Sequence, residues 1–160
     1  MRSQILAFGL VLLLAGCGFQ LRGSATLPFE SVYIEGAGSE MGVELTRAIR
    51  PTQTRVVETP EEAQAIVQIA SQGREKRILS LSAAGRVNEF HLFYRVGFRV
   101  RDQAGKDIMP LQQIELRREI TFNDSQTLAK ESEESLLYRD MQTDAVQQIL
   151  RRLAAAKPVR

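Results

Sequence analysis

Cysteine is nearly missing from this chain: its 160 residues carry one, Cys17. Tryptophan is absent and histidine occurs once, as His91. A single cysteine excludes an internal disulfide, and with a single histidine no Cys/His metal-ligand spacing exists. Charge of one sign is also lacking. Lys and Arg number 21 against 19 Asp and Glu, a formal net charge of +2, so no bulk attraction to nucleic acid is implied. No low-complexity block or fixed-period repeat occurs, which excludes solenoid and array architectures. There is no nucleophile elbow, Walker loop or complete dinucleotide fingerprint, and turn chemistry accounts for Gly36-Ala37-Gly38. Glu115 and Glu119 share a strand face with Arg117 between them, a pattern of cross-strand pairing rather than acid–base catalysis. His91 reads as an exposed strand histidine. The chain reads as a non-enzyme that needs no metal or cofactor, and no closed ligand pocket is expected.

Long hydrophobic runs are scarce as well. One apolar stretch, Ile5 to Leu14, follows Arg2 and precedes Leu14-Ala15-Gly16-Cys17. It is too short to span a bilayer, which takes about 20 apolar residues as a helix. A positive end, a short apolar core and small residues before a cleavage point define a signal peptide. The tetrapeptide is similar to a lipobox, whose cysteine thiol is alkylated with diacylglycerol before cleavage. Residues 1–16 are therefore expected to be removed and Cys17 to carry lipid, and two or three acyl chains anchor stably where one is marginal. Inner-membrane retention usually uses Asp after the cysteine; Gly18 stands there, which favours the outer membrane. Cleavage removes one basic residue, Arg2, and leaves 144 residues, enough for one domain with its own core.

Residues 17–29 read as a lipidated tether and 30–157 as one domain. Ser31–Glu35 alternates as a strand. Ser39 is a candidate N-cap for a short helix with Met41, Val43, Leu45, Ala48 and Ile49 on one side, ended by Pro51. Residues 51–62 form a connection or a weak edge strand around Val56-Val57. Ala65 to Ile69 is a β-branched-rich strand, and a strand ending near Leu81 joins the next through Ser82–Arg86. From Phe90 to Val100 every even position is apolar, while Arg95, Arg99 and Arg101 fall on the odd face. That is a strand with one buried and one largely basic face. After a Gly-containing loop at 102–107, a second long strand places Ile114, Leu116, Ile120 and Phe122 inward and Arg117 on the face shared with the arginines. Arg118 interrupts the apolar side, which predicts an edge where its head reaches water. Asn123–Ser125 caps a helix over roughly 126–155, with Leu137, Met141, Ala145, Ile149 and Leu153 on its inner stripe. A sheet with one apolar face needs a cover, and two amphipathic helices supply it. The expected fold is a two-layer α/β sandwich of the α+β type, with about four largely antiparallel strands and both helices on one face.

The arginine face has two readings: solvated strand surface with Glu115 and Glu119 as counter-ions, or guanidinium groups placed for phosphates, which they bind well.

Cys17-Gly18-Phe19-Gln20-Leu21-Arg22-Gly23 resembles the mature N-terminus of the LptE family of lipopolysaccharide-assembly lipoproteins. Leu45–Ile49 is similar to that family's first helix, and Leu128–Glu131, Arg139–Met141 and Gln147–Leu153 to its second. The likeness runs in order through nearly all of the chain after Cys17. It implies a lipoprotein that sits in the lumen of the outer-membrane β-barrel LptD, assists the barrel's assembly as a one-to-one partner, and binds lipopolysaccharide in transit to the outer leaflet. It also implies lipopolysaccharide-contacting residues. Lys130 matches one basic family position. For a second, in the loop at 82–86, gapless matching gives Ala83, with Arg86 the nearest arginine. Arg117 joins these two as a candidate from the basic strand face. An envelope adaptor for another partner and a stand-alone periplasmic ligand binder are the competing readings.

Overall fold

The structure is a computed structural model that describes residues 26–157. The expected signal peptide, Cys17, the N-terminal heptapeptide and Pro158 lie outside the described residues. The elements are β1 (Ser31–Glu35), α1 (Glu40–Ile49), β2 (Arg55–Val57), β3 (Ala65–Leu81), β4 (Val87–Arg101), β5 (Asp107–Thr121) and α2 (Thr127–Ala154), with single 3₁₀ turns at Pro60–Glu62 and Asp124–Gln126. One mixed sheet runs β2-β1-β3-β4-β5. β1 is parallel to both neighbours, and β3, β4 and β5 are antiparallel.

The α+β sandwich expected from the sequence is the observed fold, with five strands in place of about four. The fifth is the weak edge strand at Val56-Val57, realised as β2, where three residues pair with Ser31–Tyr33. β3 is continuous from Ala65 to Leu81, with register shifts at Ile69/Ser71 and near Ser80. Its start is buried like the short strand read there, while its polar second half pairs with β4 and is tied to the helices by polar contacts.

The even positions of β4 from Leu92 to Val100 are buried as the alternation predicts. They meet Val32 and Ile34 of β1, Met41, Leu45 and Ile49 of α1, and Met141, Ala145, Ile149 and Leu153 of α2 in a single core. Val43, expected on the inner side of α1, is exposed because at 100° per residue it points away from the Met41–Leu45–Ile49 line. Ser39 caps α1 as expected, its hydroxyl accepting from the Gly42 amide at 3.1 Å. Leu27 and Phe29, read as tether, are buried in the core, and the Phe29 carbonyl accepts from Thr54 Oγ1 at 2.7 Å.

Both long hairpins close with the same chemistry. In Ser82–Arg86 and Asp102–Lys106 the fourth residue is a glycine at positive φ, +75° and +80°, and the first residue's side chain accepts from the fifth amide. A three-residue loop with glycine in the left-handed region matches the right-handed twist of the paired strands. Hairpin geometry fixes the polarity of the molecule. The Ser82–Arg86 loop and the start of α2 lie at one end. The chain's entry into β1, the Asp102–Lys106 loop and the end of α2 lie at the other, roughly 50 Å away at about 3.3 Å per strand residue.

Candidate functional site

The sequence marked Lys130, Arg86 and Arg117. The structure brings the first two to one end of the sheet and puts Arg117 on the opposite face. Lys130 stands in the first turn of α2, facing the end of β5. Its Nζ donates to Thr121 Oγ1 at 3.0 Å and pairs with Glu133 at 2.9 Å, and its side chain is 17% exposed. Arg86 closes the β3–β4 loop and is exposed. It borders a cleft of about 390 Å³ shared with Asn88, Phe122, Asn123 and Ser125. Phe122 also borders the neighbouring cleft of about 240 Å³ that holds Lys130, so the two cations stand in clefts that share one residue.

Residues that sequence reasoning did not single out complete this end. Lys76, from the helix-covered face of β3, pairs with Glu134 and lies 4.3 Å from the Phe90 ring centroid and 5.9 Å from that of Phe122. Ile78, Leu81 and Leu128 are 58%, 55% and 81% exposed. Cations therefore stand beside uncovered aliphatic surface. Register was the missing signal: which strand residue faces Phe90 depends on the β3–β4 pairing, which the polar second half of β3 does not reveal.

The uncovered sheet face carries opposite charges in register, and carboxylates hold two of its arginines while a third has a neutral amide partner. Arg95 is held between Glu75 and Glu115, Arg99 donates to Gln68, and Arg101 pairs with Glu35. The two guanidinium groups of Arg77 and Arg95 hold the Glu75 carboxyl below its usual range, and both carboxylates raise Arg95 in turn. Arg117 is exposed and has no side-chain partner among the described residues. Glu119, one of its expected neighbours, accepts from the partly buried His91 ring at 3.0 Å instead. Arg118 sits on edge strand β5 as predicted and pairs with Asp144 of α2.

Among the described residues no group of three or more His, Cys, Asp or Glu is placed to hold a metal ion. An open groove of about 950 Å³ runs beside β2, bordered by Tyr33, Arg50, Arg55 and Glu58. It contains no nucleophile–base pair.

The class these features define is an α+β domain of one mixed, mostly antiparallel sheet covered on one face by two helices. A family model described as LptE, lipopolysaccharide-assembly, matches residues 26–153, and the chain belongs to that family. The LPS-assembly lipoprotein LptE of Yersinia enterocolitica serotype O:8 is 32% identical over 158 residues, covering 95% of this chain and 75% of the relative. The solution NMR structure of an uncharacterized lipoprotein B from Nitrosomonas europaea superposes with a TM-score of 0.75 at 52% identity, covering 86% of this chain and 91% of that one. The crystal structure of the rare lipoprotein B from Shewanella oneidensis gives a TM-score of 0.68 at 25% identity over 78% and 92% of the two chains.

Proposed function

We propose that this protein is cleaved before Cys17, anchored to the outer membrane by lipid on that residue, and seated in the lumen of the LptD barrel, where it assists the barrel's assembly and contacts lipopolysaccharide on its way to the outer leaflet. The observation that carries the reading is the placing of Lys130 and Arg86 in neighbouring clefts that share Phe122, at the end of the sheet that exposes Ile78, Leu81 and Leu128. Lipopolysaccharide is a phosphorylated, multiply acylated molecule, and such a surface offers cations for its phosphates and aliphatic contact for its chains. The charge-laced sheet face supports the barrel half of the proposal, because barrel lumens are polar and wet. Family membership and the lipobox-like Leu14–Cys17 support the location.

A photo-crosslinking residue placed in turn at Arg117, Glu119 and Gln113 of the uncovered face should trap one large outer-membrane protein, identified by mass spectrometry as the barrel. Adducts at none of these positions, with the protein present in outer membranes, would refute placement of this face against the barrel.

A further inference from the structure

Lys76 and Lys130 reach one cleft from opposite walls, Lys76 from β3 and Lys130 from α2. Each is held by its own carboxylate from consecutive positions on α2: Lys130 by Glu133 and Lys76 by Glu134. Phe90 and Phe122 meet edge to face with centroids 5.4 Å apart, and the Lys76 ammonium lies near both rings. An aromatic face holds a cation in place without cancelling its charge. A carboxylate cancels it, and an ion pair this close to solvent is weak and readily exchanged.

We infer that Lys76 is a further phosphate-contacting residue of this end of the sheet, and that Glu133 and Glu134 are resident counter-ions which an incoming phosphate displaces. The inference rests on the proposed capture of lipopolysaccharide at Lys130 and Arg86. A phosphate monoester carries more charge than a carboxylate and three acceptor oxygens, so one group can satisfy both ammonium ions. The rings keep Lys76 in position when Glu134 lets go. Exposed Ile78, Leu81 and Leu128 border the same end, so a phosphate borne on an acylated carrier binds better than the free ion. The ligand is a phosphorylated amphiphile.

Lys76 also joins β3 to α2, so the test must separate a contact from a structural pin. Full-length lipoprotein in non-ionic detergent is titrated with lipopolysaccharide, with its chemically dephosphorylated form, and with inorganic pyrophosphate. Lys76→Gln should weaken lipopolysaccharide capture roughly three- to ten-fold, the worth of one charge-assisted contact near water. Lys76→Arg should retain capture, since a guanidinium keeps both the charge and the ring contact. The discriminating variant is Glu134→Gln. It breaks the same bridge between β3 and α2 yet should tighten capture about two- to five-fold, because the competing carboxylate is gone. Dephosphorylated lipopolysaccharide should show none of these differences, and pyrophosphate should follow the same order at far higher concentration. A Glu134→Gln protein that captures no better than the unsubstituted chain, or that loses capture as Lys76→Gln does, reduces Lys76 to a pin and overturns the inference. If Lys130→Gln weakens capture and Lys76→Gln does not, Lys76 alone is removed from the site. If neither changes capture, this end of the sheet is not where lipopolysaccharide binds, and the reading beneath the inference fails. Thermal unfolding of each variant shows whether the fold is kept; should Lys76→Gln unfold, Lys76→Met, which keeps the apolar stem, replaces it.

Discussion

Tyr94 shows how much one side chain ties together. It lies on the inner face of β4, fully buried, and its hydroxyl donates to Gln142 Oε1 of α2 at 3.1 Å while accepting from Gln72 of β3 at 2.8 Å. Gln142 continues to Glu44 of α1 at 2.9 Å, so one chain of hydrogen bonds crosses four elements. None of its buried side-chain polar atoms lacks a partner, and such a network specifies one arrangement where greasy contact alone would tolerate sliding. Burial pushes the Tyr94 phenol up to about 12 from its ordinary 10. The sign follows directly. The folded state favours the protonated phenol, so this stabilisation is complete below pH 10 and is lost as pH rises from 10 toward 12. Equilibrium unfolding along an alkaline series should show stability falling across that window, together with delayed tyrosinate absorbance. Tyr94→Phe should remove that part of the pH dependence and cost about 1–3 kcal/mol at neutral pH by taking their hydroxyl partner from Gln72 Nε2 and Gln142 Oε1. A variant whose alkaline profile matches the unsubstituted protein would assign the fall to another group.

Among the elements, β5 carries the greatest hazard. It is an edge strand of 15 residues, and an open edge of that length is a template for pairing with another chain. The Phe122 amide bonds to β4, so from Gln112 to Thr121 the odd-numbered backbone groups of β5 point outward, and the register shift before Gln112 reverses the alternation ahead of it. Two of those carbonyls are occupied by side chains: Gln113 accepts from Arg152 of α2 at 3.1 Å, and Arg117 accepts from Arg118 at 3.0 Å. Pro110 further interrupts the edge, where a missing amide is tolerated. Replacing Arg118 and Arg152 together by Ala should leave the circular dichroism spectrum unchanged while sedimentation reports concentration-dependent association beyond that of the parent chain; identical sedimentation would show that the guanidinium groups do not guard the edge. Much at this scale was readable in the sequence. β4, β5 and α2 each bury one clear stripe, and their periodicity gives both identity and facing. β3 was readable only in part, because Gln72, Arg74 and Lys76 face the helices yet are held by hydrogen bonds, ion pairs and ring contacts rather than apolar packing. β2 was faint because three residues bring no period of their own, and its pairing comes from β1.

The whole molecule is polarised. Its chain enters β1 at one end, the cations stand in the clefts that share Phe122 at the other, and a face of paired charges runs between. The sequence, through family likeness, pointed to Lys130 and Arg86, and folding brings them together although 44 positions separate their numbers. Arg117 was grouped with them on charge alone and stands on the opposite face, a separation that only strand register decides. Under the proposed function, lipopolysaccharide capture belongs to the cationic end and barrel binding to the uncovered sheet face, so the two should come apart under mutation. A double variant combines Lys130→Asp with Arg86→Asp. Arg86→Asp falls on an exposed loop, where substitutions usually shift stability within about 0.5 kcal/mol. Lys130→Asp loses the Thr121 and Glu133 contacts of a largely covered side chain and should cost about 1–3 kcal/mol. That double variant should still co-purify with the barrel while capturing lipopolysaccharide several-fold less, and the capture that remains should weaken with salt, since exposed charges are screened beyond about 8–10 Å at physiological ionic strength. Arg117→Glu, made alone, should do the reverse and reduce barrel recovery while leaving capture intact, because its side chain has no partner among the described residues to disturb within the fold. Loss of both readouts in either protein would mean that the end and the face work as one surface. Loss of capture in Arg117→Glu alone would move the phosphate contacts onto the sheet face.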